Sequence, residues 1–248
     1  MIQPNFLKTE RHRHLAYHKT PGHQPTVIFL GGLRSDMTGT KAIHLENWAK
    51  GLGQSFLRFD YRGHGASSGE YEDGCIGDWH QDSITVINTL TEGQVILVGS
   101  SMGGWQALLI GRRMPERVKG IVTIAAAPDF TEDSYWANFS DDERSQLDIE
   151  SKIEVPSEYE ESYVITKRLI EDGRDHLVLR KPLIFPFPVR CLHGSADTSV
   201  KTDVALRLFY HINCPDLRLI LAKDADHRFS NNNCLKLIED AISDIINS

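Results

Sequence analysis

Hydrophobic positions alternate between two patterns along most of the chain. Short continuous apolar runs predict strands buried on both faces of a sheet, and they occur at Thr26–Leu30, Ser55–Phe59, Gln94–Val98, Gly120–Ala125, Val189–His193 and Leu217–Leu221. Longer amphipathic stretches between them predict helices at Lys41–Leu52, Asp78–Leu90, Ser101–Arg113, Val200–His211 and Asn231–Ile246. A further strand is expected around His14–His18. The alternation predicts an α/β fold, with a mostly parallel sheet and helices on both faces.

One segment, residues 128–188, interrupts this alternation. It has no strong strand pattern but contains two capping boxes, Ser140-x-x-Glu143 and Ser157-x-x-Glu160, and each predicts the start of a helix. The second helix is expected to end at Gly173 and to carry Tyr159, Tyr163, Leu169 and Ile170. We call residues 128–188 the cap segment. We expect it to be a helical insertion in a single domain of residues 1–248; the alternative is a surface excursion with no part in function.

Length and charge narrow the class of protein. The 248 residues suit one α/β domain, and a hydrophobic content of 40% allows a sizeable core. The net charge is −7, and residues 128–187 hold 15 acidic against 7 basic residues. Nucleic acid is therefore not expected as a partner, and a polyanionic substrate is disfavoured. A solvated helical face would also explain the acidic cap segment.

Cysteines and histidines give no sign of a metal or a cofactor. The four cysteines are far apart and form no C-x-x-C motif, so we interpret them as reduced thiols; they are Cys75, Cys191, Cys214 and Cys234. Several histidines near the N-terminus lack a companion carboxylate or cysteine, and we interpret them as part of a solvated strand; they are His12, His14, His18 and His23. The N-terminal residues resemble neither a signal nor a transit peptide, and no stretch could span a membrane. A cytoplasmic location is expected.

The strongest chemical signal follows the predicted strand Gln94–Val98. The sequence there is Gly99-Ser100-Ser101-Met102-Gly103-Gly104, a G-x-S-x-G motif between a strand and a helix. Glycines on both sides of Ser101 permit a turn too sharp for side chains, which exposes its hydroxyl at a helix N-terminus. Ser100 has Val98 and Met102 at the corresponding positions and does not fit. Ser101 is therefore the predicted nucleophile.

Two loops near the C-terminus could supply the acid and the base that such a serine needs. The strand Val189–His193 leads into Gly194-Ser195-Ala196-Asp197, and Leu217–Leu221 leads into a loop that contains His227. Parallel strands end at one edge of a sheet, so Asp197 and His227 should lie beside Ser101. We predict that Asp197 is the acid and His227 the base.

Other residues could in principle take these roles. Asp129 follows the strand Gly120–Ala125 and could act as the acid in a variant arrangement. Asp224 and Asp226 are too close to His227 in sequence to orient it easily. His64 and His193 also lie near strand ends, and His193 more plausibly braces the turn before Asp197.

An oxyanion formed at Ser101 would need hydrogen-bond donors. One candidate is the backbone N–H of Met102, the residue after the nucleophile. The other is the backbone N–H of Leu33 in the loop Leu30-Gly31-Gly32-Leu33. A second glycine-containing loop, residues 60–67, turns near the same edge, and we interpret it as structural support.

These features together resemble the α/β-hydrolase superfamily from about His14 onward. Within it, the closer resemblance is to the acyl-protein thioesterases of the mitochondrial depalmitoylating type and their bacterial relatives. The stretches that carry it are Phe29-Leu30-x-Gly32, Met37-x-Gly39-Thr40-Lys41-Ala42, Arg58-Phe59-Asp60-Tyr61-x-Gly63-x-Gly65, Ile96–Trp105, Pro156-Ser157-x-Tyr159, Leu192-His193-Gly194-x-x-Asp197 and Asp226-His227-Arg228. The chain departs from the family at Leu33, where many relatives carry an aromatic residue.

The resemblance implies a Ser101–His227–Asp197 triad that hydrolyses acyl thioesters or activated carboxylic esters. It implies no cofactor and no metal. A carboxylesterase or lactonase for small esters is the enzymatic alternative, and a non-catalytic scaffold that binds a ligand is the other. The acyl group should lie between the sheet edge and the cap segment. Candidate apolar walls, each of which could equally be core, are Trp105, Trp136, Phe139 and Tyr163.

Overall fold

The computed structural model describes residues 3–9, 13–156 and 162–248. Eight strands form the central sheet: β1 (Asn5–Lys8), β2 (His14–Thr20), β3 (His23–Leu30), β4 (Gln54–Phe59), β5 (Val95–Ser100), β6 (Val118–Ile124), β10 (Val189–Gly194) and β12 (Leu217–Ala222). Short pairs outside it are β7 (Lys152–Val155) with β8 (Tyr163–Thr166), and β9 (Leu183–Ile184) with β11 (Ile212–Asn213). The order in the main sheet is β1-β2-β4-β3-β5-β6-β10-β12, and all neighbours from β4 onward are parallel.

Seven α-helices accompany these strands in the part of the chain that the structure describes. They are α1 (Thr40–Gly51), α2 (Ile76–Leu90), α3 (Met102–Arg113), α4 (Asp141–Glu150), α5 (Lys167–Asp175), α6 (Thr202–His211) and α7 (Asn232–Ile246). The six predicted apolar runs coincide with β3, β4, β5, β6, β10 and β12, and the predicted fold class is confirmed. Within the described ranges, no helix is both long enough and apolar enough to cross a bilayer.

The sheet separates two hydrophobic cores. Successive residues of a strand point to opposite faces, so Ile28 and Leu30 of β3 pack on one side while Val27 and Phe29 pack on the other. Helices α2, α3 and α6 cover the first face, and α1 and α7 cover the second. Burial on both faces explains why these strands have continuous apolar sequences.

The cap segment differs from its prediction. The capping box at Ser140 is present and opens α4, but Ser157, Tyr159 and Glu160 of the second box lie outside the described residues. The expected strand-free segment is wrong, because β7 and β8 form an antiparallel hairpin and Tyr163 lies on β8 rather than on a helix. The β-branched run Val164-Ile165-Thr166 favours a strand. The helix α5 begins only after Thr166, whose side chain accepts a hydrogen bond from the Leu169 N–H.

Asp129 connects the start of the cap segment to residues 178–180. It lies five residues after the end of β6 and is fully buried with a φ of 57°. Its carboxylate accepts the backbone N–H groups of Val178 (2.7 Å) and Leu179 (2.9 Å) and a hydrogen bond from Arg180. Burial raises the pKa of Asp129, and the two N–H donors oppose that shift. The start of the cap segment is therefore held against a part of the chain that lies about ten residues before β10.

Candidate active site

Ser101 occupies a strained turn between β5 and α3. Its φ and ψ are 55° and −118°, a region that non-glycine residues adopt only when their surroundings enforce it. The surroundings do so by close approach: a Cβ on Gly99 would lie 2.2 Å from the Gly103 carbonyl oxygen. A Cβ on Gly103 would lie 2.0 Å from the Leu30 carbonyl oxygen, and one on Gly104 would lie 2.6 Å from the Ala126 Cβ. The three glycines are required by packing.

The three predicted triad residues are brought together. The Nε2 atom of His227 lies 3.2 Å from the Ser101 Oγ, and its Nδ1 lies 2.8 Å from Oδ2 of Asp197. A carboxylate only accepts hydrogen bonds, so Nδ1 carries the proton and Nε2 is left to accept from the serine hydroxyl. In this arrangement the imidazole can take a proton from Ser101 while the buried carboxylate of Asp197 stabilises the resulting charge.

Backbone contacts fix the loops that carry Asp197 and His227. The second oxygen of Asp197 accepts the Val200 N–H at 2.8 Å. His193 is buried, and its Nε2 lies 2.9 Å from the Val200 carbonyl oxygen, so it braces the turn. A Cβ on Gly194 would lie 2.2 Å from the Ala225 carbonyl oxygen, which shows how closely the two loops pack.

Lys41 anchors the far side of the His227 loop. It lies in the first turn of α1 and donates from Nζ to the Arg228 carbonyl oxygen at 2.5 Å. Burial lowers the pKa of this ammonium from 10.5 to about 8, and the charge of Asp226 partly opposes the shift. Sequence reasoning did not single out Lys41 for this role.

The other candidate acids and bases are engaged elsewhere. Asp129 holds the cap segment through its two backbone donors, as described above, and makes no hydrogen bond to His227. Asp226 accepts the Phe229 N–H at 3.1 Å, which closes the turn after His227. His64 lies in the loop after β4 and bonds to backbone groups at both ring nitrogens.

The two residues predicted to supply oxyanion donors belong to turns that meet at Ser101. Met102 is the first residue of α3, and Leu33 lies inside a turn closed by a hydrogen bond from the Ser35 N–H to the Gly32 carbonyl oxygen (3.1 Å). A Cβ on Gly32 would lie 3.4 Å from the Ser101 Cβ, so this turn packs directly against the serine. Both Leu33 and Met102 face the cavity beside Ser101.

A cavity of about 510 Å³ lies beside Ser101 and His227. It is bounded by the loop after β3, the turn around Ser101, the cap segment, and the loops after β10 and β12. The lining residues are Gly32, Leu33, Arg34, Ser35, Lys41, Ser100, Ser101, Met102, Ala127, Phe130, Ser134, Tyr135, Pro156, Tyr163, Ser199, Val200, His227 and Arg228. Its wall is therefore partly apolar, and much of the apolar surface belongs to the cap segment.

Only one of the four predicted apolar walls lines this cavity. Tyr163 does, whereas Trp105 is fully buried beneath Phe130 and donates to the His176 carbonyl oxygen. Phe139 is buried behind Tyr135, on which it stacks.

Trp136 packs instead against two guanidinium groups, those of Arg144 (5.1 Å from the ring centroid) and Arg174 (4.6 Å). The walls that sequence reasoning missed are Phe130 and Tyr135. The π-helical turn Thr131–Trp136, which begins directly after Phe130, brings the two rings edge to face with centroids 5.7 Å apart. Their five-residue spacing matches neither an α-helix nor a strand, which is why the pattern gave no signal.

Comparison with known proteins places this geometry in context. A family model described as the alpha/beta hydrolase fold matches residues 25–156. The rat protein named palmitoyl-protein thioesterase ABHD10, mitochondrial, is 33% identical over 244 residues, which is 98% of this chain and 82% of that protein.

Two solved structures are similar over nearly the whole chain. Alpha/beta hydrolase domain-containing protein 10 from mouse has a TM-score of 0.92 at 32% identity and covers 99% of both chains. A protein from Agrobacterium vitis S4 has a TM-score of 0.94 at 38% identity, again over 99% of both chains.

Proposed function

The chain belongs to the α/β-hydrolase family, and on that basis we propose that it is a serine hydrolase cleaving acyl thioesters or activated carboxylic esters. In this proposal Ser101 is the nucleophile, His227 the general base and Asp197 the orienting acid. The observation that carries it is the unbroken hydrogen-bond chain from Asp197 through His227 to Ser101. The same three residues end or follow strands of one sheet, in the order Ser, Asp, His that is typical of this family.

The first half of the cycle transfers the acyl group to the enzyme. Ser101 Oγ attacks the carbonyl carbon as its proton moves to Nε2 of His227, and the Asp197 carboxylate stabilises the imidazolium. The C–S or C–O bond of the tetrahedral intermediate then breaks. His227 gives its proton to the leaving thiol or alcohol, and an acyl-enzyme ester remains on Ser101.

The second half releases the acid. Water takes the place of the departed group, His227 removes one of its protons, and the hydroxide oxygen attacks the ester carbon. The second intermediate breaks its bond to Ser101 Oγ, which regains a proton from His227. In both halves the N–H groups of Leu33 and Met102 donate to the oxyanion, where fixed donors lower the barrier. No step requires a metal or a cofactor.

The cavity and the relatives support an acyl thioester as substrate. The rat relative is named a palmitoyl-protein thioesterase, and the apolar side chains of Phe130, Tyr135 and Tyr163 lie in the cavity next to Ser101. In our proposal the cap segment supplies binding surface for an acyl chain and no catalytic group. A cytoplasmic location stays a prediction from the sequence, since the named relative is mitochondrial.

The test pairs substrates and variants. Matched thioesters and oxyesters with acyl chains from acetyl to palmitoyl are assayed with the wild-type protein, Ser101→Ala and Ser100→Ala. We expect thioester turnover, and a loss of about 10⁴-fold or more in kcat with loss of fluorophosphonate labelling for Ser101→Ala only. Labelling that depends on Ser100 instead would overturn the nucleophile assignment. A preference for small oxyesters would make the protein a carboxylesterase, and a failure to hydrolyse any of them would indicate a binding scaffold.

A further inference from the structure

The loop between β3 and α1 is held in place by the chain around the end of β4. At its far end, the Met37 N–H donates to Asp60 Oδ1 at 2.6 Å and the Met37 carbonyl oxygen accepts from Arg58 at 2.8 Å. At its near end, the Arg34 N–H points at Nε2 of His64 at a distance of 3.1 Å. The loop that contains Leu33 is thus held at Arg34 and at Met37 by residues 58–64.

The surroundings of His64 make its Nε2 atom a hydrogen-bond acceptor. It is 3% exposed and enclosed edge-to-face by Tyr61, Tyr71 and Trp79, with ring centroids 5.2 to 5.7 Å away. Its Nδ1 lies 3.1 Å from the Arg62 carbonyl oxygen, which can only accept, while the Arg34 N–H can only donate. The two backbone partners therefore fix the neutral tautomer with the proton on Nδ1. Burial lowers the pKa of His64, which keeps Nε2 available.

The group that His64 holds sits in a strained turn. Arg34 has a φ of 56° and is the third residue of the turn from Gly32 to Ser35. A positive φ at this position is usual for glycine and is unfavourable for other residues. The turn therefore needs outside support, and the bond to His64 supplies it one residue from the Leu33 N–H.

We propose that His64 is a positioning residue for the oxyanion hole, and that its Nε2 atom holds the Gly32–Ser35 turn so that the Leu33 N–H points at the reacting carbonyl. This inference rests on the proposed function, since it concerns the oxyanion of that reaction. His64 does not line the cavity beside Ser101 and takes no part in the hydrogen bonds among Ser101, His227 and Asp197, so we expect it to act through the Arg34 backbone. The loop of residues 60–67, interpreted from sequence as structural support, thereby gains a part in the chemical step.

Transition-state stabilisation depends on donors being placed where the charge develops, because misaligned donors must reorganise at the moment of reaction. Loss of the His64 acceptor should therefore lower kcat and leave ground-state binding nearly unchanged. A residue with a merely structural role would alter stability without this division between kcat and KM.

Two substitutions separate the acceptor from the packing. His64→Asn can still donate to the Arg62 carbonyl oxygen but is too short to reach the Arg34 N–H, whereas His64→Gln places an amide oxygen near the position of Nε2. His80→Leu is the control, since His80 is a largely enclosed histidine on α2 outside this loop. Measurements are kcat and KM for an octanoyl thioester, affinity for a trifluoromethyl ketone analogue, fluorophosphonate labelling stoichiometry and thermal midpoint.

For His64→Asn we expect kcat and trifluoromethyl ketone affinity to fall together by about 10- to 100-fold, less than the 10²–10³ lost with a whole donor. KM and labelling stoichiometry stay within about threefold, His64→Gln recovers most of the loss, and His80→Leu keeps kcat. Wild-type kcat in His64→Asn, or equal losses in His64→Asn and a folded His64→Gln, would overturn the proposal. If His64→Asn does not fold, ¹⁵N NMR of the histidines in the wild-type protein bound to the trifluoromethyl ketone is the deciding measurement. A His64 ring that is protonated on both nitrogens would refute the proposal. The Ser101→Ala result tests the hydrolase function separately.

Discussion

A Cβ atom on Gly103 would lie 2.0 Å from the carbonyl oxygen of Leu30, so the helix after Ser101 and the end of β3 meet backbone to backbone. This contact joins the two parts of the chain that carry the proposed oxyanion donors, Met102 and Leu33. It has no room for any side chain, and a substitution there must move one backbone or the other.

Gly103→Ala should therefore lose activity. We expect kcat to fall by about 10²-fold or more, in the range seen when an oxyanion donor is removed, with a lowered thermal midpoint. The matched control is Gly51→Ala, at the end of α1, where an added Cβ meets nothing within 4 Å. That change should leave kcat unaltered and stabilise the helix by up to about 1 kcal/mol. Wild-type kcat in Gly103→Ala would contradict the role of the contact.

Asp197→Asn should lower kcat by about 10²- to 10⁴-fold. The amide presents an N–H to His227 Nδ1, which drives the imidazole proton to Nε2 and removes the acceptor for Ser101. Asp129→Asn is the comparison, since Asp129 is equally buried but holds Val178 and Leu179. It should cost roughly 1–3 kcal/mol in the free energy of unfolding while kcat for an acetyl ester stays within about threefold. The reverse pattern would transfer the acid role to Asp129.

Lys41→Met should change how stability depends on pH. The folded-state pKa of Lys41 is about 8 against an ordinary 10.5, so the folded protein carries a desolvation cost below pH 8. Between pH 8 and about 10.5 the unfolded chain holds more protons, and wild-type stability rises with pH. Over that interval the free energy of unfolding of the wild type should rise by on the order of 2 kcal/mol relative to that of Lys41→Met. Urea unfolding at a series of pH values measures this difference.

The control for this change is Lys223→Met, at an exposed lysine, which should show no such trend. Loss of the bond to the Arg228 carbonyl should also lower kcat in Lys41→Met, since that bond anchors the His227 loop. A flat stability difference from pH 7 to 10.5 would contradict the lowered pKa.

Tyr135→Ala should affect long acyl chains selectively. Each buried methylene contributes about 0.8 kcal/mol, so kcat/KM in the wild type should rise roughly three- to fourfold per carbon until the cavity is full. Removing the Tyr135 ring should reduce this rise for octanoyl and longer thioesters while acetyl turnover is retained. Trp136→Ala, one residue on but packed against Arg144 and Arg174, should not change the chain-length profile. Equal losses on short and long chains would remove the cap segment from the binding site.

The sequence predicted the sheet well, because strands that are buried on both faces, such as β3 and β5, have continuous apolar sequences. It also indicated the positions of Ser101, Asp197 and His227, since each follows a strand of that sheet. The cap segment was harder. There the π-helical turn Thr131–Trp136 has a periodicity that neither the helix pattern nor the strand pattern contains. At β8 the helical spacing of Tyr163 with Leu169 and Ile170 predicted a helix, whereas residues 163–166 form a hairpin with β7. The role of His64 was equally invisible, because its partner is a backbone N–H.

The contacts of Asp129 have a consequence for how the cap segment can vary. Its carboxylate lies five residues after β6 and holds the backbone at Val178 and Leu179, and Trp105 of α3 holds the neighbouring His176 carbonyl oxygen. A change of length between these points would leave this connection in place. A substitution at Asp129 would instead release the start of the cap segment and its later part together.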